Sequence, residues 1–78
     1  MSVRRDQEFT LVEEALGKDN ATYRAEVTRG SPYRWRIARR NPMGTVPMET
    51  YPQELQGTAN SYREAADAAR TALRKATT

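Results

Sequence analysis

Two short stretches alternate in hydropathy with a period of two, and that alternation limits the fold more than any other feature of the chain. In residues 22–29 the odd positions carry Tyr23, Ala25 and Val27, and the even positions carry Arg24, Glu26 and Thr28. In residues 33–39 the odd positions carry Tyr33, Trp35 and Ile37, against Arg34, Arg36 and Ala38. Such a period belongs to a strand with one buried face and one wet face. Gly30-Ser31-Pro32 between them is turn chemistry. The two segments therefore predict an antiparallel hairpin with aromatics on one side and guanidinium groups on the other.

The last segment predicts the helix that covers the apolar side. Ser61-Tyr62-Arg63-Glu64 has the form of a capping box. Tyr62, Ala65, Ala66, Ala69, Ala72, Leu73 and Ala76 then fall on one helical stripe. Arg63 and Asp67 stand at the spacing of an i,i+4 pair on the other side. Small residues let a helix approach a sheet closely, so that Tyr23, Trp35 and Ile37 fill the space between. The chain needs this economy. Of its 29 apolar residues eleven are alanine, and a domain of 78 residues buries only about 60–65 % of its unfolded surface.

The remaining segments carry weaker signals. Residues 1–5 read as a disordered start, and residues 6–78 as a single small α+β domain. Asp6 opens an expected short helix over residues 7–16. Phe9, Val12, Ala15 and Leu16 lie at helical spacing, with Gly17 as its stop. A strand is the competing reading, since Phe9 and Leu11 flank Thr10. Lys18-Asp19-Asn20 and Asn41-Pro42-Met43-Gly44 read as turns. Residues 45–51 suggest a third strand, with Val46 and Met48 turned one way and Pro47 confining it to an edge. Residues 52–60 read as a polar connection anchored by Leu55. The expected architecture is thus α+β in the order αβββα: a short N-terminal helix, a three-stranded antiparallel sheet and a C-terminal helix packed on one sheet face.

Composition removes several kinds of chemistry. Without cysteine there is no disulfide, no thiolate metal site and no cysteine nucleophile. Without histidine the usual general base and transition-metal ligand are missing. No Gly-rich phosphate loop occurs. Glu13, Glu14, Glu49 and Glu54 read as solvated surface acids, and Ser31 and Ser61 as turn and cap residues. No enzyme, cofactor or metal is expected. No apolar run is long enough for a membrane span, and none near Met1 has the form of a secretory signal, so a cytoplasmic setting without membrane contact is expected.

The arginines ask for a partner. Eleven of the 13 basic residues are arginine, and six of these, against one acid, fall between Arg24 and Arg40. Arginine suits bidentate contact with phosphate or carboxylate. Arg24, Arg34 and Arg36 on the open sheet face, extended by Arg29, Arg39 and Arg40, are the candidate binding residues. Nucleic acid is the leading expected partner, because a two-stranded ribbon with arginines fits a DNA groove. The alternative is a protein-binding module that uses the same face against an acidic protein surface. Charged strands also serve simply to block aggregation, and Glu26 stands where a cross-strand pair neutralises part of the patch. A thin, alanine-rich core also admits a homodimer, through sheet edges or the alanine stripe.

The segment from Tyr23 to Ala76 resembles the three-strand-plus-helix DNA-binding domains of the AP2 and integrase arm-type kind. The matching stretches are Arg34-Trp35-Arg36-Ile37 and Ser61-Tyr62-Arg63-Glu64-Ala65-Ala66-Asp67-Ala68-Ala69. That resemblance implies DNA binding by an arginine-bearing sheet face. With the first helix included, the order of elements is similar to a double-stranded-RNA-binding domain. The lysine cluster of that family's last helix is replaced here by Tyr62, Arg63 and Ala66, and its turn by Gly30-Ser31-Pro32-Tyr33. The same βββα outline resembles short phage and mobile-element proteins, which implies binding and blocking of a host protein, CRISPR effectors included.

Overall fold

The computed structural model describes residues 8–42 and 48–78. Strands β1 (Phe9–Leu16), β2 (Thr22–Thr28) and β3 (Tyr33–Arg40) form an antiparallel meander. The far edge of β3 pairs with two short strands in turn, β4 (Glu49–Thr50) at one end and β5 (Gln56–Ala59) at the other. A single 3-10 turn, Gln53–Leu55, joins them. Helix α1 (Tyr62–Thr77) closes the chain and packs across one face of the sheet.

Two expectations are corrected. The segment expected as an N-terminal helix is strand β1 over residues 9–16. Its helical spacing has a physical origin. The register of β1 against β2 shifts between Leu11 and Glu13, so Val12 is an extra residue in a bulge. A bulge inserts one position into a period of two, so Val12 and Ala15 reach the helix-covered face three apart, while Phe9 and Leu16 lie on the opposite face. The sheet also has five strands rather than three. The third strand expected over residues 45–51 is reduced to Glu49–Thr50 among the described residues, while Val46 and Pro47 lie outside them, as do residues 1–5. The connection expected over 52–60 supplies β5, whose partners are Tyr33, Arg34, Trp35 and Arg36.

The hairpin holds the expected parity. Tyr23, Ala25, Val27 and Ile37 are buried beneath α1 with Ala65, Ala66, Ala69, Ala72 and Leu73. Ile37, Val27 and Leu73 are the large apolar side chains withdrawn almost completely from water. Trp35 also lies on this side, half-buried, and its indole rests on Gly57, its cross-strand partner. A methyl group added at Gly57 would stand only 3.0–3.1 Å from the indole. The ring takes the place of a side chain there.

The ends of the elements are closed by side chains. Ser61 Oγ accepts a 3.2 Å hydrogen bond from the Glu64 amide, and Glu64 reaches back to the amide of Asn60 at 3.4 Å. The capping box is therefore reciprocated one residue early. Asp67 pairs with Arg70 at 3.7 Å rather than with Arg63, and Arg70 also reaches Glu13 of β1 at 3.4 Å. Gly17 is part of the β1–β2 turn rather than a helix stop: its amide donates to the Ala21 carbonyl at 2.8 Å. Asn20 takes the left-handed conformation that this turn requires, with φ 69°. Thr28 is fully buried, and its hydroxyl oxygen accepts the Arg34 amide at 2.9 Å.

Candidate functional site

Helix α1 covers one face of the sheet, and among the described residues no element covers the other. Cross-strand partners share a face, so the register fixes what the open face carries. From β2 and β3 come Arg24 opposite Ala38 and Glu26 opposite Arg36. Past the bulge in β1, Glu14 stands beside Arg24 and Leu16 beside Thr22; before it, Phe9 stands beside Thr28 and Leu11 beside Glu26. On the other edge Glu49 pairs with Arg40, Gln56 with Arg36 and Thr58 with Arg34.

Four of the six candidate arginines, Arg24, Arg34, Arg36 and Arg40, are thereby brought to one face. Three of them are already engaged. Arg36 Nε donates to Glu26 Oε1 at 2.7 Å. Its guanidinium carbon lies 3.9 Å from the centroid of the Phe9 ring and 4.0 Å from that of Tyr51. Both distances are within cation–π range. Arg24 lies between Glu14, at 3.6 Å, and Glu49, at 3.5 Å. Arg40 meets the same Glu49 oxygen at 3.7 Å, and the Tyr51 hydroxyl donates to its other oxygen at 2.9 Å. That bond to Glu49, helped by partial burial, holds the Tyr51 hydroxyl above its ordinary pKa of 10.0. Ala38, at the centre of the face, is fully buried although no helix among the described residues covers it.

The other three candidates differ. Arg39 belongs to the opposite parity, where Nη2 meets Asp19 Oδ2 at 3.0 Å and Nε meets the Tyr23 hydroxyl at 3.2 Å. Asp19 also accepts from the Ala21 amide at 3.1 Å and from the Tyr23 hydroxyl at 2.9 Å. The backbone bond first, then Tyr23 and Arg39, hold the Asp19 carboxyl below its ordinary value of 3.8. The bonds from Tyr23 and Asp19 raise the Arg39 guanidinium in turn. Arg39 is a clamp on the β1–β2 turn. Arg29 is exposed at the β2–β3 turn and lines a cavity with Tyr62. Arg34 is exposed, and its guanidinium has no ion pair or hydrogen bond among the described residues.

Four residues that build the face were not among the candidates. The bulge disguised Phe9 and Glu14. Glu49 and Tyr51 carry a faint signal in their spacing of two, beside a proline-bearing edge. The resulting surface is mixed rather than polycationic. Leu16 is 66 % exposed, Leu11 48 % and Tyr51 40 %, and these apolar groups alternate with ion pairs that are already formed. A cavity of about 350 Å³ opens on this face between Phe9, Arg34, Arg36, Tyr51, Gln56 and Thr58. A second, of about 420 Å³, lies between α1 and the 3-10 turn, with Trp35, Leu55, Ala68 and Ala72 as its apolar wall.

Among the described residues no group of three or more acidic side chains is placed to hold a metal ion. No described helix is long and apolar enough to cross a membrane. No protein-family model matches the chain, no curated protein is significantly similar to it, and no solved structure matches its fold.

Proposed function

We propose that the chain is a small non-enzymatic binding module whose open sheet face takes a protein partner. The observation that carries this reading is the state of Arg36, fixed between Phe9 and Tyr51 and bonded to Glu26. Tyrosine and arginine dominate the energetics of protein interfaces, and they bind best when their geometry is set beforehand. A guanidinium held by two rings and a carboxylate loses little freedom on docking. Exposed Leu11 and Leu16 supply apolar area beside it.

Polyanion binding draws instead on unpaired cations that displace counterions. Three carboxylates, Glu14, Glu26 and Glu49, already hold three of the four arginines on this face. A second reading, nucleic-acid binding, keeps one specific support: Arg29 and Arg34 are without ion pairs among the described residues and lie at the same end of the β2–β3 hairpin.

The two readings separate in a single experiment. Tagged protein is used to capture partners from lysate with and without nuclease, in parallel with the variants Leu16→Glu and Lys75→Glu. The protein-binding reading expects a partner that survives nuclease, is lost with Leu16→Glu and is kept with Lys75→Glu on the helix. Capture abolished by nuclease supports nucleic acid. Capture indifferent to Leu16→Glu overturns the use of this face.

A further inference from the structure

We infer that the cavity beside Arg34 is a carboxylate subsite, which receives a glutamate or aspartate side chain of the protein partner; the inference rests on the reading just given. The cavity, about 350 Å³, is lined by Arg34 and Arg36 and, among the described residues, by no acidic side chain. Glu26 touches Arg36 only at Nε. Among the described residues, neither the two terminal nitrogens of Arg36 nor the Arg34 guanidinium makes a hydrogen bond. Thr58 stands directly across from Arg34 and adds a hydroxyl.

The walls are fixed before any ligand arrives. Gln56 Nε2 donates to the carbonyl oxygens of Tyr51 and Pro52, both at 3.3 Å, which braces β5 against the segment carrying the Tyr51 ring. The Phe9 and Tyr51 rings stack on the Arg36 guanidinium and shield it from water, and a charge contact strengthens as the surrounding dielectric falls. Two arginines, a threonine and two aromatic rings therefore line one space that, among the described residues, lacks its own anion. A planar carboxylate matches this donor set, because an arginine fork binds it through two parallel bonds. A stacked nucleobase matches it less well. Each ring has one face already occupied by Arg36, and single-strand binders rely on free ring faces.

The test follows the arginine Nε–Hε and backbone amide resonances of the isotope-labelled chain during titration with a hexaglutamate peptide, at about 50 mM salt. A second arm uses a six-nucleotide oligothymidine. The expected result is that hexaglutamate first shifts the side-chain signals of Arg34 and Arg36 and the amide of Thr58. Arg34→Gln should weaken the peptide about tenfold, the loss expected for one charged hydrogen-bonded contact, and Arg34→Lys should fall between. An unchanged amide spectrum elsewhere shows that the variant is folded, since Arg34 is exposed. Shifts confined to Arg63, Arg74 and Lys75 overturn the subsite. So does equal affinity for Arg34→Gln, or tighter binding of the oligonucleotide at the same signals. Failure here is distinct from failure of the wider reading. If Arg34→Gln keeps a captured protein that Leu16→Glu loses, the subsite is wrong and the face stands; if both keep it, the face falls as well.

Discussion

The Glu26 carboxylate accepts a 2.7 Å hydrogen bond from Arg36 across the β2–β3 pair, and this contact turns the arginine-bearing face partly inward on itself. Both side chains are more covered than a surface pair usually is, with 11 % of Glu26 and 27 % of Arg36 exposed. Exposed pairs contribute about 0–1 kcal/mol. Here the carboxylate also fixes a guanidinium that two rings have partly dehydrated, so its loss leaves a charge without compensation.

Replacement Glu26→Gln should therefore cost about 1–2 kcal/mol, the range for removing one partner of a charge-assisted bond. Urea unfolding measures it directly, as a lower midpoint with unchanged slope. Wild-type stability in that variant would mean that the rings alone hold Arg36.

Two glycines make a comparison of opposite severity. A methyl at Gly17 would lie 2.5 Å from Cε1 of Tyr23 and 2.8 Å from Asp19 Oδ1. The Tyr23 ring is buried, and its hydroxyl is bonded to Asp19 and Arg39, so it has little room to retreat. At Gly57 the nearest atom is 3.0 Å away on Trp35, which is only half-buried and borders a groove. Gly17→Ala should thus cost about 2–3 kcal/mol and Gly57→Ala about 1 kcal/mol, within the range for overpacking. The fluorescence of Trp35, the sole tryptophan, should shift in the second variant and stay put in the first. Equal costs would show that Tyr23 is looser than its hydrogen bonds imply.

The hairpin, its two faces and the covering helix are legible in the sequence because β2 and β3 keep a strict period of two and α1 keeps one apolar stripe. β1 is not, because the bulge at Val12 converts alternation into a spacing of three. β5 is not, because Gln56-Gly57-Thr58-Ala59 lies on an edge and offers no contrast in hydropathy. The candidate arginines are legible as a group. Their neutralisation is legible only for Arg36, whose acid is two residues from Arg24 on the neighbouring strand. Glu14 and Glu49 approach Arg24 from opposite edges of the sheet, and no local pattern announces a meeting of residues 25 positions apart.

Stability should have an acid limb and an alkaline limb with different owners. The Asp19 carboxyl is held below 3.8 in the folded chain, chiefly by the Ala21 amide. Its contribution is complete above that value and is lost as pH falls through the lower, folded pKa. The Tyr51 hydroxyl is held above 10.0 by its bond to Glu49. Its contribution is complete below about 10 and is lost as pH rises through the higher, folded pKa. Neither group adds slope between these limits, and the chain has no imidazole to titrate there. Thermal unfolding across pH 3–11 should show Asp19→Asn flattening the acid side and Tyr51→Phe the alkaline side. A variant that alters the opposite limb would break the assignment.

The salt dependence of any residual nucleic-acid affinity measures how many arginines remain available. Each phosphate neutralised on a duplex adds about −0.9 to the slope of log K against log salt. If all six candidate arginines engaged phosphates, the slope would be about −5. Arg24, Arg36, Arg39 and Arg40 are held by Glu14, Glu49, Glu26 and Asp19. Releasing them would mean breaking those ion pairs, which offsets the gain from counterion release. Of the six, only Arg29 and Arg34 are then free to contribute, and if the face supplies the contacts the slope should be about −2. Fluorescence anisotropy of a labelled duplex between about 50 and 200 mM salt reads this number. Glu26→Gln should steepen it by about one, because Arg36 is then released from its carboxylate. A slope near −5 in the unaltered protein would show that phosphate outcompetes the carboxylates, and would return the face to nucleic acid.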